Sequence, residues 1–161
     1  MEKGTKVTIY SLICFIILLL VAYFPISNNL ADSPIHMWDE ATYANNSIDM
    51  AHGNNNILIV QHLNEPDLYN TKPPFVIWMQ AISIKIFGIN EFAIRLPSAI
   101  FSFLTVFLVY FFCVRNLNSE VIGLIASAIL VSSKGYISSH VVRSGDLDST
   151  LVFWLVLGLF T

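Results

Sequence analysis

The stretch PPFVIWMQAISIKIFG, residues 73–88, decides how the rest of the chain is arranged in a membrane. Its apolar section, Phe75–Phe87, has 13 residues and includes Lys85. A membrane-crossing helix needs about 20 apolar residues, so this run predicts a helix that lies flat in or near the interface. In that arrangement the polar segments 27–95 and 139–149 share the outer face. If the helix crosses instead, they lie on opposite faces.

The composition is that of a membrane protein. The chain has 161 residues, of which 55% are hydrophobic and 12% are charged, whereas a soluble domain carries about 25% charged residues. The length corresponds to one domain at most. The net charge is −3 without a basic cluster, which argues against nucleic acid as a partner. Both cysteines lie in apolar runs, so we expect no disulfide framework.

The first apolar run predicts a membrane anchor. Residues 7–24 contain no charge, and as a helix they extend roughly 27 Å, close to the thickness of a bilayer core. Lys3 and Lys6 precede the run, which indicates a cytoplasmic N-terminus. A signal peptide is the alternative. The run is long for one and no A-x-A-like cleavage site follows, so we expect an uncleaved anchor.

Two further runs predict membrane spans. Residues 96–114 are free of charge, and residues 121–142 are interrupted only by Lys134, which can extend its ammonium group toward the interface. The short polar turn 115–120 separates them. Residues 149–161 are apolar again but too few to cross a bilayer. We therefore expect an all-α polytopic membrane protein with about three full spans and a truncated fourth, in which residues 1–161 form the N-terminal portion of a longer transmembrane domain.

Two acidic residues follow the first run, in the stretch MWDEATYANN at residues 37–46. Asp39 and Glu40 stand at the start of a predicted short helix, where acids complement the helix dipole. On this pattern alone, that structural role is the favoured interpretation. The apolar positions that predict the helix, and the glycine that would end it, are Ala41, Ala44, Ile48, Ala51 and Gly53.

Two more polar sites lie at the edges of apolar runs. Lys72 precedes two prolines, which predict a rigid, extended entry into the next helix; alone, it is typical of an interfacial lysine. Arg143, Asp146 and Asp148 form a second site, which alone is typical of a solvated turn with Asp148 as a helix cap. Ionisable groups at a membrane boundary are nevertheless functional candidates. Together these sites supply a base, a cation and a second acid.

Four motifs then point to a known family. WDEATYA, YNTKPPFVIW, NEFAIRLPSA and RSGDLDSTL occur in the order and at roughly the spacing of the dolichyl-phosphate-mannose protein mannosyltransferase-like family, whose bacterial members include the lipid A aminoarabinose transferase. The chain resembles this family over about residues 5–161. Each motif is weak alone, whereas the ordered set is specific.

The resemblance implies a fold and an activity. It implies the GT-C membrane fold, with juxtamembrane helices in the first extracytoplasmic loop and the Lys-Pro helix at the membrane surface. It further implies an enzyme of the bacterial inner membrane with its active site on the extracytoplasmic side. There it would transfer a sugar from a polyprenyl-phosphate carrier to a lipid, protein or glycan acceptor.

The resemblance also implies site residues. The first-loop acid of the family matches Asp39, with Glu40 beside it, and the second-loop acid best matches Asp148, with Asp146 as the alternative. A sugar phosphate has a good leaving group, so the reaction needs a base for the acceptor hydroxyl and cations for the phosphate. We predict Asp39 as the base, with Asp148 orienting sugar or acceptor. The predicted donor contacts are Lys72 of the Lys-Pro motif, the tyrosines Tyr43 and Tyr69, and, more weakly, Arg143.

No metal cofactor is expected. The aminoarabinose transferases have a metal-site Glu before the Lys-Pro, where this chain has Thr71. The four histidines have no recognisable ligand spacing. They are His36, His52, His62 and His140.

A transporter or another non-catalytic membrane protein is the alternative function, because it would use the same acids to bind ions or substrates.

Overall fold

The chain is mostly helical in a computed structural model, which describes residues 9–53, 57–63, 65–68, 70, 72–137 and 140–160, without the side chains of residues 11 and 12. This part contains seven helices and one small hairpin, the latter being a minor departure from the predicted all-α class. The helices are α1 (Ile9–Ser27), α2 (Asp39–His52), α3 (Phe75–Phe87), α4 (Glu91–Leu117), α5 (Glu120–Ser132), α6 (Lys134–Ile137) and α7 (Asp148–Phe160). The antiparallel strands are β1 (Gln61–His62) and β2 (Glu65–Pro66).

Helix α4 is the one helix in the described segments that is long and apolar enough to cross a membrane. It has 27 residues and contains the predicted run 96–114. The helix begins earlier than that run, at Glu91, because the Asn90 side chain caps it by accepting a hydrogen bond from the amide of Ala93 at 2.8 Å. Arg95 therefore lies inside the helix and not at its boundary.

The other apolar helices are shorter. Helix α1 overlaps the predicted anchor, although Lys3 and Lys6 lie outside the described residues. Helix α3 has the predicted bounds, with Gly88 at its C-terminus in the left-handed region (φ 81°). Helix α7 has 13 residues.

The predicted span over residues 121–142 is not one continuous helix. Helix α5 ends at Ser132 because Ser133 adopts an extended conformation, and the four-residue α6 follows. The Ser132 hydroxyl donates to the carbonyl of Ile129 at 3.0 Å. Such local bonds allow serine to compete with the helical backbone.

Two apolar clusters hold the helices together. The larger one joins α1, α4, α5 and α6 through buried residues that include Leu18, Val106 and Val131. The smaller one joins α2, α3 and the first turn of α4 through Ala44, Ile84, Ala93 and Ile94. Because α2 and α3 pack against the start of α4, the polar segment before α2 and the segment between α6 and α7 meet at one end of α4.

Candidate functional site

The N-terminus of α2 presents Asp39 at the protein surface. Asp39 is the first residue of the helix and is exposed. The preceding residue, Trp38, has φ 80°, which is rare for a bulky side chain. The Trp38 carbonyl accepts hydrogen bonds from both the amide and the hydroxyl of Thr42, each at 2.9 Å. These two bonds hold the strained turn from which Asp39 projects.

An open cavity of about 370 Å³ brings three of the predicted site residues together. Asp39 and Tyr43 line it from α2, and Lys72 lines it from the segment before α3. Tyr69, also predicted, lies outside the described residues. No local pattern in the sequence points to the other lining residues, which are Thr42, His62, Asp67 and Asn70.

The hairpin segment forms one wall of this cavity and is tied to two helices. Asp67 Oδ2 accepts a hydrogen bond at 3.2 Å from the amide group of the buried Asn46 on α2. The indole N–H of Trp78 on α3 donates to the carbonyl of Ile57 at 2.7 Å. Strands of two residues leave no periodic pattern in the sequence, so this wall could be recognised only in the structure.

Tyr43 is a hydrogen-bond donor at neutral pH. Burial raises its pKa to about 12, and the negative charges of Asp39, Asp146 and Asp148 act in the same direction. The phenol therefore keeps its proton over the physiological range. These effects also mean that all three carboxylates lie within electrostatic reach of a single ring, although Asp146 and Asp148 are not among the described residues that line the cavity.

Glu40 has a different environment from its neighbour Asp39. It is 1% exposed. Its Oε1 accepts from Arg95 Nε and from the amide of Gly145, both at 2.7 Å. Its Oε2 accepts from the amide of His36 at 2.7 Å and from Arg95 Nη2 at 3.1 Å. Burial alone would raise the pKa of Glu40, but these hydrogen bonds together with the Arg95 charge bring the pKa below its usual value.

Arg95 uses its whole guanidinium group inside the protein. It is 1% exposed, and besides Glu40 it donates to three main-chain carbonyls of the segment between α1 and α2. These carbonyls belong to Leu30, Ser33 and Pro34, at 2.8, 2.8 and 2.9 Å. All three nitrogens of the guanidinium group therefore donate hydrogen bonds inside the protein. In the sequence, Arg95 is recognisable only as the border of an apolar run and as part of the NEFAIRLPSA motif.

The second predicted site contains one buried and one exposed acid. Asp146 is buried, and its Oδ2 lies 3.0 Å from both the Ser144 hydroxyl and His140 Nδ1. Burial raises the pKa of Asp146. The hydrogen bonds from His140 and Ser144 lower the pKa, but burial has the larger effect. Asp148 is exposed in the first turn of α7, where it complements the dipole from inside the helix. Arg143 donates to the carbonyl of Asn28 at 2.8 Å, so it contacts the end of α1.

Metal ligands do not cluster in the part of the chain that the structure covers. No group of three or more His, Cys, Asp or Glu residues there could hold a metal ion. Thr71, on which part of the expectation about a metal rested, lies outside that part.

Comparison with known proteins gives relatives of greater length. The chain is 34% identical over 75% of its length to the undecaprenyl phosphate-alpha-4-amino-4-deoxy-L-arabinose arabinosyl transferase of Pseudomonas savastanoi pv. phaseolicola (strain 1448A / Race 6). It is 28% identical over 99% of its length to the protein of that name from Wigglesworthia glossinidia brevipalpis. An uncharacterized protein of Aquifex aeolicus (strain VF5) is 35% identical over 55% of the chain.

The chain spans only 22%, 27% and 21% of these three relatives, respectively. No solved structure matches it significantly. The sequence profile of the dolichyl-phosphate-mannose-protein mannosyltransferase family matches residues 71–161, which is more than half of the chain and includes Lys72, α3, α4 and the second predicted site. The resemblance of the motifs is thus confirmed, and the chain belongs to the dolichyl-phosphate-mannose-protein mannosyltransferase family.

Proposed function

We propose that the protein is a GT-C glycosyltransferase that moves a sugar from a polyprenyl-phosphate carrier to an acceptor hydroxyl. The observation that supports this most directly is the cavity that Asp39 and Lys72 share. It offers a carboxylate and a cation on one open surface. Helix α2, which carries Asp39, is held to the membrane-length helix α4 by the ion pair of Glu40 with Arg95. The names of two relatives include undecaprenyl phosphate, which is a carrier of this chemical class.

The proposed reaction needs little acid catalysis. The acceptor oxygen forms a bond to the anomeric carbon while the bond from that carbon to the phosphate oxygen breaks, and polyprenyl phosphate leaves with the bonding electrons. Asp39 accepts the proton of the acceptor hydroxyl. Lys72 stabilises the charge of the departing phosphate. Tyr43, whose phenol remains protonated, donates a hydrogen bond to the polyprenyl-phosphate sugar.

The second loop has a supporting role in this proposal. Asp148 is exposed and carries the orienting contact to sugar or acceptor, with Asp146 as the alternative. Arg143 is a weaker second cation for the phosphate, since in this structure it contacts a main-chain carbonyl near the end of α1. Trp38 is exposed next to Asp39 and anchors the first loop at the membrane interface, where tryptophan is enriched.

We further propose that α3 lies flat at the membrane interface, so that both loops face the extracytoplasmic side. With one cysteine introduced at a time into a cysteine-free full-length protein, Asn45→Cys on α2 and His140→Cys in the second loop should react with a membrane-impermeant maleimide added outside. Asn118→Cys, between α4 and α5, should react only after permeabilisation. All three positions are exposed, and the cysteine-free protein is the background control. Labelling of Asn45 and His140 from opposite sides would show that α3 crosses the membrane.

Lys72→Ala in the full-length protein should weaken donor binding and transfer together, because it removes a charge from the phosphate site. A charge-assisted hydrogen bond contributes about 1.5–3 kcal/mol, so we expect the donor Kd to rise by roughly 10–100-fold. Binding of a polyprenyl-phosphate sugar and its turnover would both be measured.

The matched control for that experiment is Lys85→Ala, which removes an exposed lysine near the other end of α3. It should leave the donor Kd unchanged. Equal effects of the two substitutions would indicate a general contribution of positive charge at the membrane surface and would remove Lys72 from the site. A wild-type protein that binds no polyprenyl-phosphate sugar would contradict the proposed function and favour a transporter.

A further inference from the structure

The two predicted loops are joined by a buried set of polar residues, which we call the junction: Glu40, Gln80, Arg95, Ser98 and Gly145. The four side chains of this set are each no more than 1% exposed. We propose that the junction positions Asp39 against the second loop, with Glu40, Arg95 and Gly145 as positioning residues for transfer. This inference rests on the proposed function, because it assigns a role in that reaction.

The second loop is held through its main chain by side chains from three helices. The amide of Gly145 donates to Glu40 Oε1 of α2 at 2.7 Å. The carbonyl of Gly145 accepts from Gln80 Nε2 of α3 at 2.8 Å. The carbonyl of Asp146 accepts from the Ser98 hydroxyl of α4 at 3.1 Å. The position of the loop is therefore set by directional hydrogen bonds to three consecutive peptide groups around Gly145 and Asp146.

The first loop is fixed by the same residues. Arg95 joins Glu40 to the carbonyls that precede α2, so the entry to that helix and its first turn are held by one guanidinium group. Asp39 is covalently bonded to Glu40, with about 3.8 Å between their Cα atoms. A shift of the Glu40 main chain therefore moves Asp39 as well.

Stability alone does not explain a junction of this kind. A buried ion pair often stabilises a fold no more than well-packed apolar side chains of similar volume would. Apolar contacts, however, are non-directional, whereas the hydrogen bonds of Glu40 and Arg95 define both distance and angle. That property suits a site in which residues from two loops must approach one reacting group.

Gly145 allows the junction to be disturbed without a change in charge. A Cβ atom at this position would lie 2.7 Å from Ile94 Cγ2, 2.9 Å from Gln80 Nε2 and 3.3 Å from Glu40 Cγ. The first two distances are too short, so either the loop or the side chains of Ile94 and Gln80 must shift. Gly145→Ala should therefore move Glu40 and the second loop apart while leaving each proposed catalytic side chain intact.

The decisive measurement is the separation of kcat from KM in the full-length protein. A misplacement of about 1 Å can cost roughly 10²-fold in rate, so Gly145→Ala should lower kcat per folded molecule by about that factor. The donor KM should change only slightly, since Lys72 is not among the three residues nearest to an added Cβ at Gly145. The matched control is Gly158→Ala in α7, where an added Cβ meets no atom within 4 Å, and it should retain wild-type kcat.

A second arm tests the junction without relying on activity or on the folding of Gly145→Ala. Arg95→Lys keeps the positive charge but loses the planar fork. It should accelerate hydrogen exchange of the peptide that contains Gly145, because the acceptor of that amide is no longer fixed. Arg115→Lys, at the exposed end of the same helix, is the control and should leave that exchange unchanged.

The outcomes separate this inference from the proposed function. If the wild-type protein transfers sugar and Gly145→Ala only reduces the amount of folded protein, with kcat per folded molecule unchanged, the positioning role is overturned. Unchanged exchange at Gly145 in Arg95→Lys overturns it as well. Absence of transfer by the wild-type protein instead contradicts the proposed function.

Discussion

Asp39→Asn in the full-length protein should lower the rate of sugar transfer by about 10²–10⁴-fold, the usual effect of removing a general base. Asparagine keeps the shape of the side chain and can still form hydrogen bonds, but it cannot accept the proton of the acceptor hydroxyl. Binding of the donor should remain nearly unchanged because Lys72 is retained. Turnover and donor affinity, measured on the same preparation, test both parts of this expectation.

The matched control is Asp32→Asn, which removes an exposed carboxylate from the segment before α2. It should leave turnover near the wild-type rate. If Asp39 only complements the helix dipole, Asp39→Asn would instead cost a few tenths of a kcal/mol to about 1 kcal/mol in stability and leave turnover intact. That result would remove Asp39 from the mechanism and make Asp148 the next candidate.

Arg95→Ala should lower the free energy of unfolding by about 3–5 kcal/mol, as is typical when one partner of a buried ion pair is removed. The substitution leaves the Glu40 carboxylate without its cation in the interior, and it leaves the carbonyls of Leu30, Ser33 and Pro34 without a donor. Denaturant or thermal unfolding of the full-length protein in detergent would measure the loss.

Arg115→Ala is the control for this prediction, because it removes an arginine from the exposed end of the same helix. It should change the free energy of unfolding by less than about 0.5 kcal/mol. If the two substitutions lower the free energy of unfolding by similar amounts, the buried Arg95–Glu40 pair contributes no more to stability than an exposed arginine does. Glu40→Gln should also be destabilising, unlike a substitution that merely weakens a helix-dipole interaction.

Local patterns in the sequence were sufficient for several helices. Helix α3 has its predicted bounds because two prolines precede its apolar run and a glycine with positive φ ends it. Helix α2 begins at Asp39 and is followed by Gly53, as its apolar spacing predicted. These features depend on residues within a few positions of each other, so one sequence contains the information needed to predict them. The ordered motifs likewise led to the correct family.

The roles of adjacent charged residues were decided only by tertiary structure. Asp39 and Glu40 are neighbours in sequence, yet one lines an open cavity and the other is buried against Arg95 and Gly145. Those partners are 55 and 105 positions away from Glu40. Desolvation and hydrogen bonding depend on groups that approach in space, and no local spacing encodes them. The same reason applies to the hairpin wall with His62, which completes the cavity only after it packs against α2 and α3.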